Sequence, residues 1–140
     1  MDLGDALRKA GASGLVMAPG DVCLVNDEAV VIPETPEEKR TYHKDGRPCV
    51  ILFNHELCAK ALMPIVSVAP ISHRVDLKDA CDFPISPNAR NGLHQESLVM
   101  LGHIQPVRKN DVFKKIGSLA NEEFDGLMRH LVQNIEGYSE

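Results

Sequence analysis

Short apolar runs punctuated by proline, glycine and charge fill most of the chain, and a helical spacing takes over near its end. After the turn Pro19-Gly20, the run Asp21-Val22-Cys23-Leu24-Val25 is rich in strand-forming residues, is apolar on both faces and predicts a strand. Val30-Val31-Ile32 predicts an extension of that pairing. Further strands are expected at Pro48–Phe53, Ile65–Ala69, Phe83–Ile85, Ser97–Leu101 and Ile104–Val107, giving five or six in all. Residues 55–62 fit one helical turn, and Asn88-Ala89-Arg90-Asn91-Gly92 reads as a turn because Asn and Gly tolerate positive φ. Pro33-Glu34-Thr35-Pro36-Glu37-Glu38-Lys39-Arg40 has the polar, proline-broken composition of a mobile loop.

The periodicity then changes. Phe124, Leu127, Met128, Leu131 and Ile135 fall at i, i+3, i+4, i+7 and i+11, the spacing of an amphipathic helix. Asn121 is expected to cap it, Glu122 and Glu123 suit the positive end of its dipole, and Gly137 stands where it should stop. A shorter helix is expected over residues 2–10, where Leu3, Ala6, Leu7 and Ala10 follow Asp2. Strands first and a packing helix last, with no βαβ alternation and no repeat, predict a mainly β fold: a small antiparallel barrel with the C-terminal helix laid against it. The expected organisation is an N-terminal extension over 1–19, the barrel over 20–136 and a tail over 137–140.

Composition narrows the function. One unit of 140 residues is long enough for a core without staples. No apolar run approaches the roughly 18 residues of a membrane span, and the acidic start Met1-Asp2-Leu3-Gly4-Asp5 does not read as a secretory signal, so cytoplasmic residence is expected. The formal charge of −5 means that any nucleic-acid site must be a local basic patch, and 4% aromatics with no Trp leave little for an extended stacking surface. Cys23, Cys49, Cys58 and Cys81 show no C-x-x-C spacing and read as reduced thiols, most of them packed as small hydrophobes. A metal set built on His55-x-x-Cys58 with His94 or Cys81 matches no recognised zinc spacing. Arg108-Lys109 and Lys114-Lys115 form a basic cluster that reads as solvated surface, with room for RNA or protein docking.

Four blocks in order resemble the MazF/PemK family of toxin–antitoxin mRNA interferases: "GDVCLV" at 20–25, "GRPCVILFN" at 46–54, "VSVAPIS" at 66–72, and the long closing segment over 92–131 with its Lys-Ile-Gly-x-Leu turn. The resemblance implies a distorted SH3-like barrel, a homodimer, and cleavage of single-stranded RNA at short sequences without metal or other cofactor. It also implies an antitoxin partner whose acidic disordered tail occupies the RNA groove, and no membrane.

Two residues match the family's active-site positions: Arg47, and Ser72 in place of the usual Thr. Attack of a 2′-hydroxyl on its adjacent phosphate builds a crowded anionic phosphorane, which a guanidinium can clamp and a hydroxyl can donate to. Where the family commonly carries an acidic residue and Gln before the Arg-Pro pair, this chain has Thr41-Tyr42-His43-Lys44-Asp45, and the family's later acidic-Gln pair corresponds to Gly102-His103. His43 and His103 are therefore the candidate acid–base groups. Arg74, Lys44 and Gln105 are the expected RNA contacts, Arg74 being preferred to His73 because strand alternation puts the two on opposite faces. Two other outcomes fit the same barrel: a protein-binding toxin like the CcdB gyrase poisons, and a MazF-like adaptor that cuts nothing.

Overall fold

β-branched runs pair in the order their patterning allows. The computed structural model describes residues 15–32, 42–60 and 62–136. Seven strands form one antiparallel sheet: β1 (Asp21–Val25), β2 (Arg47–Ile51), β3 (Ile65–Ser72), β4 (Asp82–Ile85), β5 (Ser97–Met100), β6 (Gln105–Arg108) and β7 (Val112–Ser118). They lie in the order β4-β5-β3-β2-β1-β7, with β6 added on β3. A short helix α1 (His55–Ala59) follows β2, and the long helix α2 (Asn121–Glu136) closes the described chain. This is the mainly β, antiparallel fold with a C-terminal helix that the sequence predicts. The expected helix at residues 2–10, the loop at Pro33–Arg40 and the stop at Gly137 fall outside the described residues.

β3 organises the sheet. One edge pairs with β2 through Cys49↔Pro70, Val50↔Ala69 and Ile51↔Val68. Its other edge pairs first with β6, from Ile65↔Arg108 to Val68↔Gln105, and then with β5 at Ile71↔Val99 and Ser72↔Leu98. The partner changes at Ala69-Pro70, and Pro70 has no N–H to give, which makes it a natural place for one ladder to end and another to begin.

Strand alternation divides the core in two. Cys23, Val25, Cys49, Ile51, Val66 and Val68 point to one side, where Met17, Val30, Cys58 and Val107 join them. Val22, Val50, Ala69, Ile71 and Val99 point to the other, where α2 covers them with Leu127, fully buried, and with Phe124 and Leu131 at its margins. Among the described residues no helix is long and apolar enough to cross a membrane.

Four expectations change. β7 is a strand that the sequence pattern hides, because Phe113, Lys114 and Lys115 face solvent in succession and two register shifts against β1 break its alternation. Val30–Ile32 is not a strand; Gln105 instead brackets Val31, accepting its N–H at 2.8 Å and donating to its C=O at 2.9 Å. Helix α2 starts at Asn121, so the capping position is Ala120: its N–H is taken by Glu123 Oε1 at 2.9 Å and its C=O accepts from Phe124 N–H at 2.9 Å, half of a capping box without a capping side chain. The basic cluster is not a uniform solvated surface, since Lys109 is only 3% exposed and Lys115 pairs with Asp21 at 3.2 Å.

Cys23, Cys49 and Cys58 are buried free thiols and Cys81 is half-buried. Burial pushes the Cys23 thiol from 9.0 up to about 12, and pushes Cys49 and Cys58 up as well. The unfolded chain therefore releases these protons near pH 9 while the folded chain keeps them, so their contribution is fully present below pH 9.0 and is lost as pH rises towards the folded values. Urea midpoints are expected to fall between pH 8 and pH 10, and the fall to be shallower in Cys23→Ala. A pH-independent midpoint over that range would contradict this.

Candidate functional site

The turn after β1 and the entry to β2 are tied by one buried carboxylate. Asp27, 4% exposed, sits in a single helical turn over Asp27–Ala29. Its Oδ1 accepts from Arg47 Nε at 2.7 Å and its Oδ2 accepts from the backbone N–H of His43 at 2.8 Å. Arg47 is itself only 7% exposed and directs a second nitrogen towards the Ile71 carbonyl at 3.4 Å. The guanidinium that the sequence offers as an open clamp is thus held in a buried ion pair that ties β2 to the turn after β1, with a second contact to β3. Nothing near Asp27 in sequence marks its partner twenty positions away.

Residues 43–46 close as a turn, with Gly46 N–H donating to His43 C=O at 3.1 Å. Gly46 has φ +93°, and a Cβ there would stand 2.6 Å from the Phe113 ring, so both conformation and packing require glycine. On the opposite wall, fully buried Asn91 shapes the loop into β5: its Oδ1 accepts from Asn88 and Leu93 N–H, both at 3.1 Å, and its Nδ2 donates to Ser86 C=O at 2.9 Å. Gly92, at φ +70°, lies so close to β7 that a Cβ would run into the Ile116 carbonyl oxygen. These two constraints deliver His94 and Gln95 to the site.

Between the two walls opens a cavity of about 450 Å³, within the roughly 300–1,000 Å³ usual for ligand clefts. Leu24, Pro48, Ile71 and Ile116 supply its apolar surface. His43, His73, His94, Lys114, Asp45 and Gln95 supply the polar one. The rings of His43 and His73 meet edge to face, with centroids 6.4 Å apart and planes at 82°. The protein as a whole carries a charge of −5, yet this cavity gathers three imidazoles and an ammonium around one carboxylate. His43 also lines a second cleft of about 620 Å³, shared with Asp27, Lys44 and Arg108 among others.

The expected site residues divide accordingly. His43 lies in the cavity, and Arg47 lies between Gly46 and Pro48, which line it. Ser72 ends β3 and its Oγ accepts the Arg74 N–H at 3.1 Å, the bond of a turn serine. Arg74 points away into an exposed ion pair with Asp76 at 3.0 Å, and it is His73 that reaches the cavity. The alternation argument that preferred Arg74 does not extend that far, because the strand ends at Ser72. Lys44 belongs to the second cleft. Gln105 is engaged with Val31 and with His103 C=O at 2.9 Å, and neither it nor His103 lines the cavity. His73, set below Arg74 by the sequence, His94, considered there only for a metal set, and Lys114, part of the basic cluster, are the other cavity residues; their convergence depends on pairing between distant strands. Among the described residues no group of three or more His, Cys, Asp or Glu is placed to hold a metal ion.

The antiparallel barrel, its covering helix and a cavity rich in imidazoles define a small β-barrel class with a polar cleft. A family model described as "PemK-like, MazF-like toxin of type II toxin-antitoxin system" matches residues 19–135, and the chain belongs to that family. Among solved structures it is similar to the Mycobacterium tuberculosis toxin MazF-mt6, with 22% identity over 86% of this chain and 99% of that one at a TM-score of 0.61. An Mtb toxin shares 29% identity over 67% of this chain and 98% of its own, at a TM-score of 0.54. An endoribonuclease in complex with its cognate antitoxin from a Mycobacterial species shares the fold at 10% identity, covering 89% of this chain and 97% of that one at a TM-score of 0.56. A search of curated proteins gives no match.

Proposed function

We propose that this toxin is a sequence-selective endoribonuclease that cuts single-stranded RNA through attack of a 2′-hydroxyl on the adjacent phosphate, without a metal ion, in the cytoplasm. The observation that carries the reading is the concentration of His43, His73, His94 and Lys114 in one cavity of an otherwise acidic protein. Such a patch attracts a phosphodiester locally while the net charge discourages indiscriminate binding. Arg47 serves beside it: its Nε holds Asp27, and the same Asp27 holds the backbone of His43, so the guanidinium fixes the geometry of one wall. Ser72, at the end of β3, is the hydroxyl that donates to the phosphate.

The protein acts as a homodimer and is silenced by an antitoxin whose acidic tail takes the place of RNA; the antitoxin-bound relative among the similar structures supports that partner. One observation favours a protein-binding alternative of the gyrase-poison kind: Met128, Val132 and Ile135 form an exposed apolar stripe on α2. Incubation of a long single-stranded RNA with purified protein in excess EDTA separates the two. Discrete fragments ending in 2′,3′-cyclic phosphate and 5′-hydroxyl are expected. No cutting by folded protein would reject the nuclease and shift attention to that stripe.

A further inference from the structure

We infer that His43 and His73 are the acid–base pair of this site, each handling the proton of one of the two oxygens exchanged at phosphorus. The inference rests on the endoribonuclease reading and adds the groups that move the protons. Transfer of a phosphodiester to its own 2′-oxygen forms the 2′-O–P bond and breaks the P–O5′ bond. It releases one proton from the 2′-hydroxyl and requires one at the departing 5′-oxygen. A neutral imidazole can accept the first and an imidazolium can supply the second, so the pair ends with its protons exchanged and is reset by solvent. No other co-reactant is needed.

The geometry suits this division. The two rings approach edge to face with centroids 6.4 Å apart, so two oxygens of a single phosphate can be shared between them, each within a hydrogen-bond reach of about 2.6–3.2 Å. The rings come from independent supports. His43 lines the cavity and is set by its own backbone N–H on Asp27, and His73 follows the end of β3, where the Ser72 hydroxyl fixes the next residue but one. Lys114 on β7 and His94 on the β5 approach face the same space and are placed to bind the non-bridging oxygens. Arginine is a poor substitute for either proton-transfer role, because its guanidinium stays charged, and Arg47 is already engaged with Asp27.

The other ionisable groups that face the pair are Asp45 and His94 from the two loops, Lys114 from β7 and Asp76 in the turn after β3, together with Asp27, Glu28, Tyr42, Lys44, Arg108 and Asp111 around His43 in the second cleft. Because one group must act as base and the other as acid, cleavage by the wild type is expected to show a bell-shaped pH profile, whereas either variant alone keeps one limb.

The test compares wild type, His43→Gln, His73→Gln and the control His130→Gln on one RNA substrate, with folding verified by circular dichroism. His130 lies on α2, bonded to the Ala80 carbonyl at 3.0 Å, outside the cavity. Each cavity variant is expected to lose about 10²–10³-fold in cleavage rate and one limb of the profile, while the control keeps both. At the bond the wild type cuts, a bridging 5′-sulfur is then introduced, a leaving group that departs without protonation. It should restore the rate in one variant, identifying the acid, and not in the other, identifying the base. Wild-type activity with an unchanged rate and profile in His73→Gln overturns the pair and leaves the nuclease reading standing. Restoration in both variants or in neither also overturns the pair. An inactive, folded wild type instead removes the nuclease reading itself.

Discussion

Replacing Arg47 by alanine lowers the stability of the fold by about 3–5 kcal/mol, the usual consequence of removing one partner of a buried ion pair. The cause is what remains. Asp27 is 4% exposed, its Oδ1 loses the Nε donor at 2.7 Å, and it must carry its charge in a nearly dry site or take up a proton. Asp27→Ala strands the guanidinium in the same way. The double substitution Asp27→Ala/Arg47→Ala is expected to cost much less than the sum of the two, because neither charge is left alone. Urea denaturation of the four proteins measures the coupling directly, and additive losses would show that the pair does not act as a unit. The result bears on function too. An Arg47→Ala protein that no longer cuts RNA reports on chemistry only if it is still folded and His43 is still seated on Asp27. Against a total stability of about 5–15 kcal/mol, that cannot be assumed.

The second large effect is expected at Lys109. Its ammonium, 3% exposed, donates to the carbonyls of Leu57, Cys58 and Lys60, each at 3.1 Å. These oxygens are at the C-terminal end of α1, a five-residue helix whose last carbonyls have few partners of their own. Burial pulls the Lys109 pKa below the ordinary lysine value, and the three acceptors oppose that by binding the charged form. Lys109→Met keeps the length and removes all three bonds, so a loss of about 2–3 kcal/mol is expected, with the largest gain in amide exchange over residues 54–60. Lys109→Arg should recover little, since a planar fork does not match three convergent oxygens. Full stability in Lys109→Met would mean that α1 closes without its lysine.

Lys109 also shows what the sequence could and could not reveal. In Arg108-Lys109 it looks like half of a solvated basic pair, yet Arg108 is exposed and pairs with Asp111 at 3.3 Å while Lys109 turns inward. Charge type does not announce burial when the acceptors are carbonyls some fifty residues away. By contrast β1, β2, β3 and α2 were legible because their apolar positions repeat at the period of the element itself. β7 was not, since its core contribution reduces to Val112 and a partly covered Ile116 on either side of solvent-facing Phe113, Lys114 and Lys115. Of the site, family resemblance supplied Arg47, Ser72 and His43. Their surroundings came only with the fold, for Asp27, His73 and His94 are brought together by β1–β2 and β3–β5 pairing and share no local pattern.

The pairing of β1 with β7 joins residues 21–25 to residues 112–118. During synthesis β1 emerges early, while its second neighbour is among the last segments of the domain to be made. Until then one edge of β1 is unpaired, and the cavity lacks Lys114 and Ile116 from β7. A ribosome translating this message therefore carries an incomplete site until nearly the whole domain has been produced. On the endoribonuclease reading proposed above, a strand order that withholds the final wall until that point protects the message that encodes the protein.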